Sequence, residues 1–78
     1  MRFNFPYKIE GEESQIQVDS VEIPDQSNCY RINLNGKFCT YLCKIGGEYR
    51  SPRDTNLSIQ DMEGIGDRIE EYLLGHSG

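Results

Sequence analysis

The chain has 78 residues, 36% of them hydrophobic and 27% charged, with a formal net charge of -5 and a sequence pI of about 4.7. That length supports one domain with a lean core, and the acidic balance opposes nonspecific attraction to nucleic acid or to an anionic membrane surface. No stretch approaches the ~20 apolar residues of a membrane span, and Met1-Arg2 leads into alternating residues instead of the apolar block of a signal peptide, so the expected location is the cytoplasm.

Phe3, Phe5, Tyr7 and Ile9 alternate with polar residues and predict a first strand. Pro6 cannot donate to a ladder, so this strand belongs at an edge or turns Pro6 outward. Residues 11–14 form a turn, and Ile16 and Val18 open a second strand. The apolar phase shifts by one at Asp19-Ser20 and resumes at Val21 and Ile23. That slip predicts either a β-bulge or two short strands joined there. Residues 24–28 are a cluster of turn formers.

Asn35-Gly36 then specifies a hairpin, because a two-residue type I′ turn needs positive φ at both positions and Asn-Gly tolerates this best. An unbroken ladder from that turn pairs Leu34 with Lys37, Ile32 with Cys39 and Tyr30 with Tyr41. The core face is then Tyr30, Ile32, Leu34, Cys39, Tyr41, Cys43 and Ile45. Phe38 and Leu42 fall on the opposite, mixed face with Cys29, Arg31, Asn33 and Thr40. Gly46-Gly47 makes another tight turn, residues 48–50 a short return strand, and residues 51–56 a loop around Pro52.

Beyond this loop the period changes to 3.6: Ile59, Met62, Ile65, Gly66, Ile69, Tyr72 and Leu73 recur at helical spacing. Ser58 is the expected N-cap, with Asp61 three residues on, and Leu57 and Met62 have the spacing of a hydrophobic staple. Gly75 is the expected stop. The fold class is therefore α+β: an antiparallel β-meander of four to five strands followed by one C-terminal α-helix packed on one sheet face, in two layers. Residues 1–74 form the single domain and 75–78 a tail.

Catalytic and metal chemistry find little to build on. Cys39 and Cys43 share a strand face at ~13 Å, too far apart for a disulfide, and Cys29 points the other way, so three reduced thiols are expected. His76, the one histidine, falls in the tail. Glu10, Glu12, Glu13, Asp19, Glu22 and Asp25 occupy turns and polar strand positions, which reads as a solvated rim. Gly46-Gly47 lacks the flanking Gly and Lys-Ser/Thr of a phosphate loop. No catalytic residue, metal or cofactor is expected.

Two functional expectations follow. Phe38 and Leu42 on the mixed face, with the basic and aromatic cluster of Tyr49, Arg50 and Arg53, are the expected binding residues of a non-enzymatic interaction or accessory module. Its partner is a second copy, as in a homodimer, or another protein, as for an inhibitor or antitoxin-like binder. Separately, Gly64-Ile65-Gly66 between apolar helical stretches resembles the helix-hairpin-helix motif of DNA repair and replication proteins. The resemblance covers about fifteen residues. It implies a glycine hairpin at Gly64 and Gly66 offering N–H groups to a phosphate, plugged by Ile65, with Arg68 reaching the backbone. Read from the residues alone, the same segment is one continuous helix whose glycines permit close approach to the sheet.

Overall fold

The computed structural model describes residues 1–53 and 55–76, excepting the side chain of His76. Five strands, β1 (Arg2–Ile9), β2 (Glu12–Val21), β3 (Cys29–Leu34), β4 (Lys37–Ile45) and β5 (Glu48–Arg50), form one antiparallel sheet in sequence order. The helix α1 (Ile59–His76) follows. This is the expected α+β meander.

Three of the four strand-to-strand connections are two-residue turns with positive φ at both positions: Glu10 and Gly11, Asn35 and Gly36, Gly46 and Gly47. Such turns match the twist of the strands they join. The first is tighter than the expected turn over residues 11–14, so β2 begins at Glu12. Asn35 also ties its turn to β2: its N–H donates to the Gln15 carbonyl at 2.8 Å, and its Oδ1 accepts the Gln15 N–H at 2.8 Å. β1 lies at the sheet edge, which accommodates Pro6.

The expected irregularity at Asp19-Ser20 is absent. β2 pairs in unbroken register with β3 from Ile16 to Val21, and Val21 simply faces the other side of the sheet from Val18. The bulge occurs instead in β4. Asn33 pairs with Phe38, but Ile32 pairs with Thr40, leaving Cys39 as the extra residue. Every residue of β4 beyond it exchanges faces relative to an unbroken ladder. Tyr30 therefore opposes Leu42, not Tyr41, and Leu42 enters the core.

Helix α1 begins as expected. The Ser58 Oγ accepts the Asp61 N–H at 3.0 Å, and Leu57 and Met62 are both buried in the core. The helix continues through Gly75 to His76, one residue beyond the expected stop. Ser77 and Gly78, the rest of the expected tail, lie outside the described residues.

Three stripes of α1 make three different contacts. Met62, Ile65, Ile69 and Leu73 point into the core with Phe5, Ile16, Val18, Ile32 and Leu42. Asp61, Gly64, Arg68 and Tyr72 face β1: the Tyr7 hydroxyl donates to Asp61 at 3.5 Å, the Arg68 guanidinium lies 5.2 Å from the Phe5 ring, and Tyr72 stacks on Phe3 at 3.9 Å. Glu63, Gly66 and Glu70 face the other edge, where Arg50 bonds Glu63 at 2.9 Å and Lys44 bonds Glu70. One helix touches both edge strands, so the sheet is curled around it.

Candidate protein-interaction face

Alternation along the strands divides the side chains into a helix-facing set and an outward set. The outward set of β3 and β4 is Cys29, Arg31 and Asn33 with Phe38, Tyr41, Cys43 and Ile45. Phe38 is 50% exposed and Ile45 45% exposed. The Phe38 and Tyr41 rings meet at 5.1 Å, and the Arg31 guanidinium lies 5.2 Å from the Phe38 ring centre. Tyr41 and Arg31 are cross-strand partners, so one ladder rung and the residue before the bulge assemble this group.

Beside it, residues 22–26 and the segment after β5 border a cleft of about 350 Å3, lined by Ile23, Pro24, Tyr41, Pro52 and Arg53. A second cavity, about 570 Å3, opens at the turn end of the sheet. Its walls include Ile9, Leu34, Cys39 and Leu57, with Phe38 at one side. Burial pushes the Cys39 thiol up from its usual value, so at neutral pH it stays protonated and is a poor nucleophile.

The bulge also corrects the reading of the cysteines. Cys43 lands directly opposite Cys29 with their Cα atoms 4.1 Å apart, and the two form a disulfide on the outward side; only Cys39 is free. The expectation of three reduced thiols fails because it assumed an unbroken ladder, in which Cys43 turns inward.

The five expected binding residues separate. Phe38 is on the outward face, and Arg53 lines the cleft next to Tyr41. Leu42 is fully buried against the helix and cannot contact a partner on the outward face. Tyr49 is a core residue between Tyr30 and α1. Its phenol is pushed well up by burial and then by neighbouring Tyr30 and Glu70. Arg50 is held at the β5 edge by Glu48, Glu63 and the Tyr49 carbonyl. Tyr41, Arg31 and Ile45 were not among the expected binding residues; Arg31 was already expected on the face of Phe38, but only knowledge of the bulge could have added Tyr41 and Ile45 to it.

The segment that resembles a helix-hairpin-helix is an unbroken helix here. Gly64 and Gly66 lie within α1, and a Cβ at Gly64 would run into the Tyr7 ring and one at Gly66 into the Tyr49 ring. Their amides belong to the helical ladder, not to an open hairpin. Among the described residues no three His, Cys, Asp or Glu side chains cluster in a way that could hold a metal ion, and no helix is long and apolar enough to cross a membrane.

Comparison with protein-family models, with curated proteins and with solved structures returns no match.

Proposed function

We propose that this chain is a non-enzymatic protein-association module that works through the outward sheet face around Phe38 and Tyr41. The observation that carries the reading is the half-exposed Phe38 ring, in contact with both Tyr41 and Arg31 on a face that also exposes Ile45 further along β4. Aromatic residues and arginine dominate binding energy at interfaces, best when a neighbouring pocket accepts an anchor. The cleft between Tyr41, Pro24 and Arg53 is such a pocket. A 78-residue domain has a small core of its own, so covering this face stabilises the fold as well as the complex.

A second copy of the chain is the first partner to test. Sedimentation velocity across a wide concentration range is expected to show reversible association of the parent protein and a persistent monomer for Phe38→Asp. A parent that stays monomeric at every concentration removes self-association and leaves a different protein as the partner. A Phe38→Asp variant that associates like the parent would place the contact elsewhere.

A further inference from the structure

Strand β4 is apolar in both of its alternations. Cys39, Tyr41, Cys43 and Ile45 make one set, and Phe38 and Leu42 belong to the other. Register is well specified only where one face is clearly apolar and the other clearly polar. In β4 the choice falls to a single extra residue, Cys39, at the point where the pairing shifts. The bulged pairing is not free of cost. Asn33, at that shift, keeps its side-chain oxygen buried with no hydrogen-bond partner among the described residues.

A bulge-free alternative keeps the Asn35-Gly36 turn and the first two rungs, Leu34 with Lys37 and Asn33 with Phe38. Beyond them Ile32 meets Cys39, Tyr30 meets Tyr41 and Cys29 meets Leu42. In that pairing Cys43 faces the helix and Cys29 faces away, so the disulfide cannot exist. In the bulged pairing the two cysteines are direct partners.

We propose that the Cys29–Cys43 disulfide is a redox-operated register lock on β4: oxidised, it holds the bulged pairing, and reduction frees β4 to move to the bulge-free one. The move carries Tyr41, Cys43 and Ile45 to the helix side and brings Leu42 out. It thereby removes Tyr41 from the face on which Phe38 remains. The reductant is a dithiol. One of its thiolates attacks a sulfur of the disulfide, the Cys29–Cys43 bond breaks, and the departing sulfur takes a proton. The second thiol of the reductant then closes its own disulfide and releases the remaining cysteine as a thiol. Both sulfurs are buried, so attack awaits fraying of the hairpin end remote from Asn35-Gly36, where the pair lies.

The lock would regulate the face proposed above, but it stands on strand pairing alone and is read without any partner. Cross-strand proton contacts of isotopically labelled protein are measured by NMR, oxidised and then with excess dithiothreitol. The oxidised chain is expected to give Tyr30–Leu42 and Ile32–Thr40 contacts. The reduced chain is expected to add, or change wholly to, Tyr30–Tyr41 and Ile32–Cys39. A reduced chain that keeps only the first set overturns the proposal, and so does one that unfolds without re-pairing. Deletion of Cys39 makes the observed faces the unbulged ones, so that variant is expected to keep Tyr30 opposite Leu42 in both redox states. If it switches as the parent does, register is not what the disulfide controls.

Discussion

Gly64 and Gly66 are two helical residues whose missing side chains are occupied by rings from opposite edges of the sheet. Alanine raises helix propensity by about 1 kcal/mol over glycine, yet overpacking costs about 1–3 kcal/mol. Since Tyr49 meets Gly66 with the base of its side chain (Cδ2, Cγ and Cβ), and not with a mobile tip, Gly66→Ala is expected to lower the urea midpoint. Gly75, with open space around it, is the contrasting control: Gly75→Ala is expected to leave the midpoint unchanged or raise it. The same logic separates Leu42 from Phe38. Leu42→Ala removes a fully buried side chain and is expected to cost about 2–5 kcal/mol. Phe38→Ala is an exposed change and is expected to stay within about 0.5 kcal/mol. Equal losses for the two in chemical denaturation would contradict the bulged pairing.

At the scale of elements, what was legible in the residues and what was not have a common cause. Turns and helix ends are local: Asn35-Gly36 needs only its own φ values, and Ser58 needs only the amide three residues on. Both were readable. Ser58→Ala is accordingly expected to cost about 1 kcal/mol, visible as a lower thermal midpoint. The bulge at Cys39 was not readable, because its justification lies across the sheet: Leu42 packs against α1, and Cys43 meets Cys29. With apolar residues in both alternations, β4 offered no internal sign of which set goes inward. The apparent slip at Asp19-Ser20 misled for the complementary reason. Val21 is a β-branched residue that belongs on the outward side, beside Cys29. Moving the bulge from β2 to β4 relocated Leu42, paired the cysteines and replaced half of the candidate face. The glycines of α1 were legible as points of close approach, though not that each would meet a different edge.

The whole molecule is bounded in pH by groups that tie β1 to β2 and the sheet to α1. Asp19 is held below the usual carboxylate range, first by its hydrogen bond from Arg2 at 2.5 Å. Its contribution is present above the unfolded value of about 3.9 and is lost as pH falls through the lower folded value. Tyr7 and Tyr49 are shifted up, first by burial and then by Asp61 and Tyr30 respectively. Folding favours their protonated forms, so their contribution is complete below about 10 and is lost as pH rises from there through the folded values. Denaturant midpoints measured across pH are therefore expected to show a broad plateau with losses at both extremes. The Tyr7→Phe change is expected to soften the alkaline loss.

The position of α1 also has a consequence for the order of events as the chain is made. The helix is synthesised after all five strands, yet it lies along both margins of the sheet and supplies much of the floor beneath it. Until residues 59–76 have emerged from the ribosome, the five strands carry a bare apolar surface and two uncovered margins, each able to recruit a neighbouring chain. The sheet is thus completed only once α1 is available to cover it. Fragments ending before Ile59 are expected to scatter light and bind thioflavin where the entire chain remains clear.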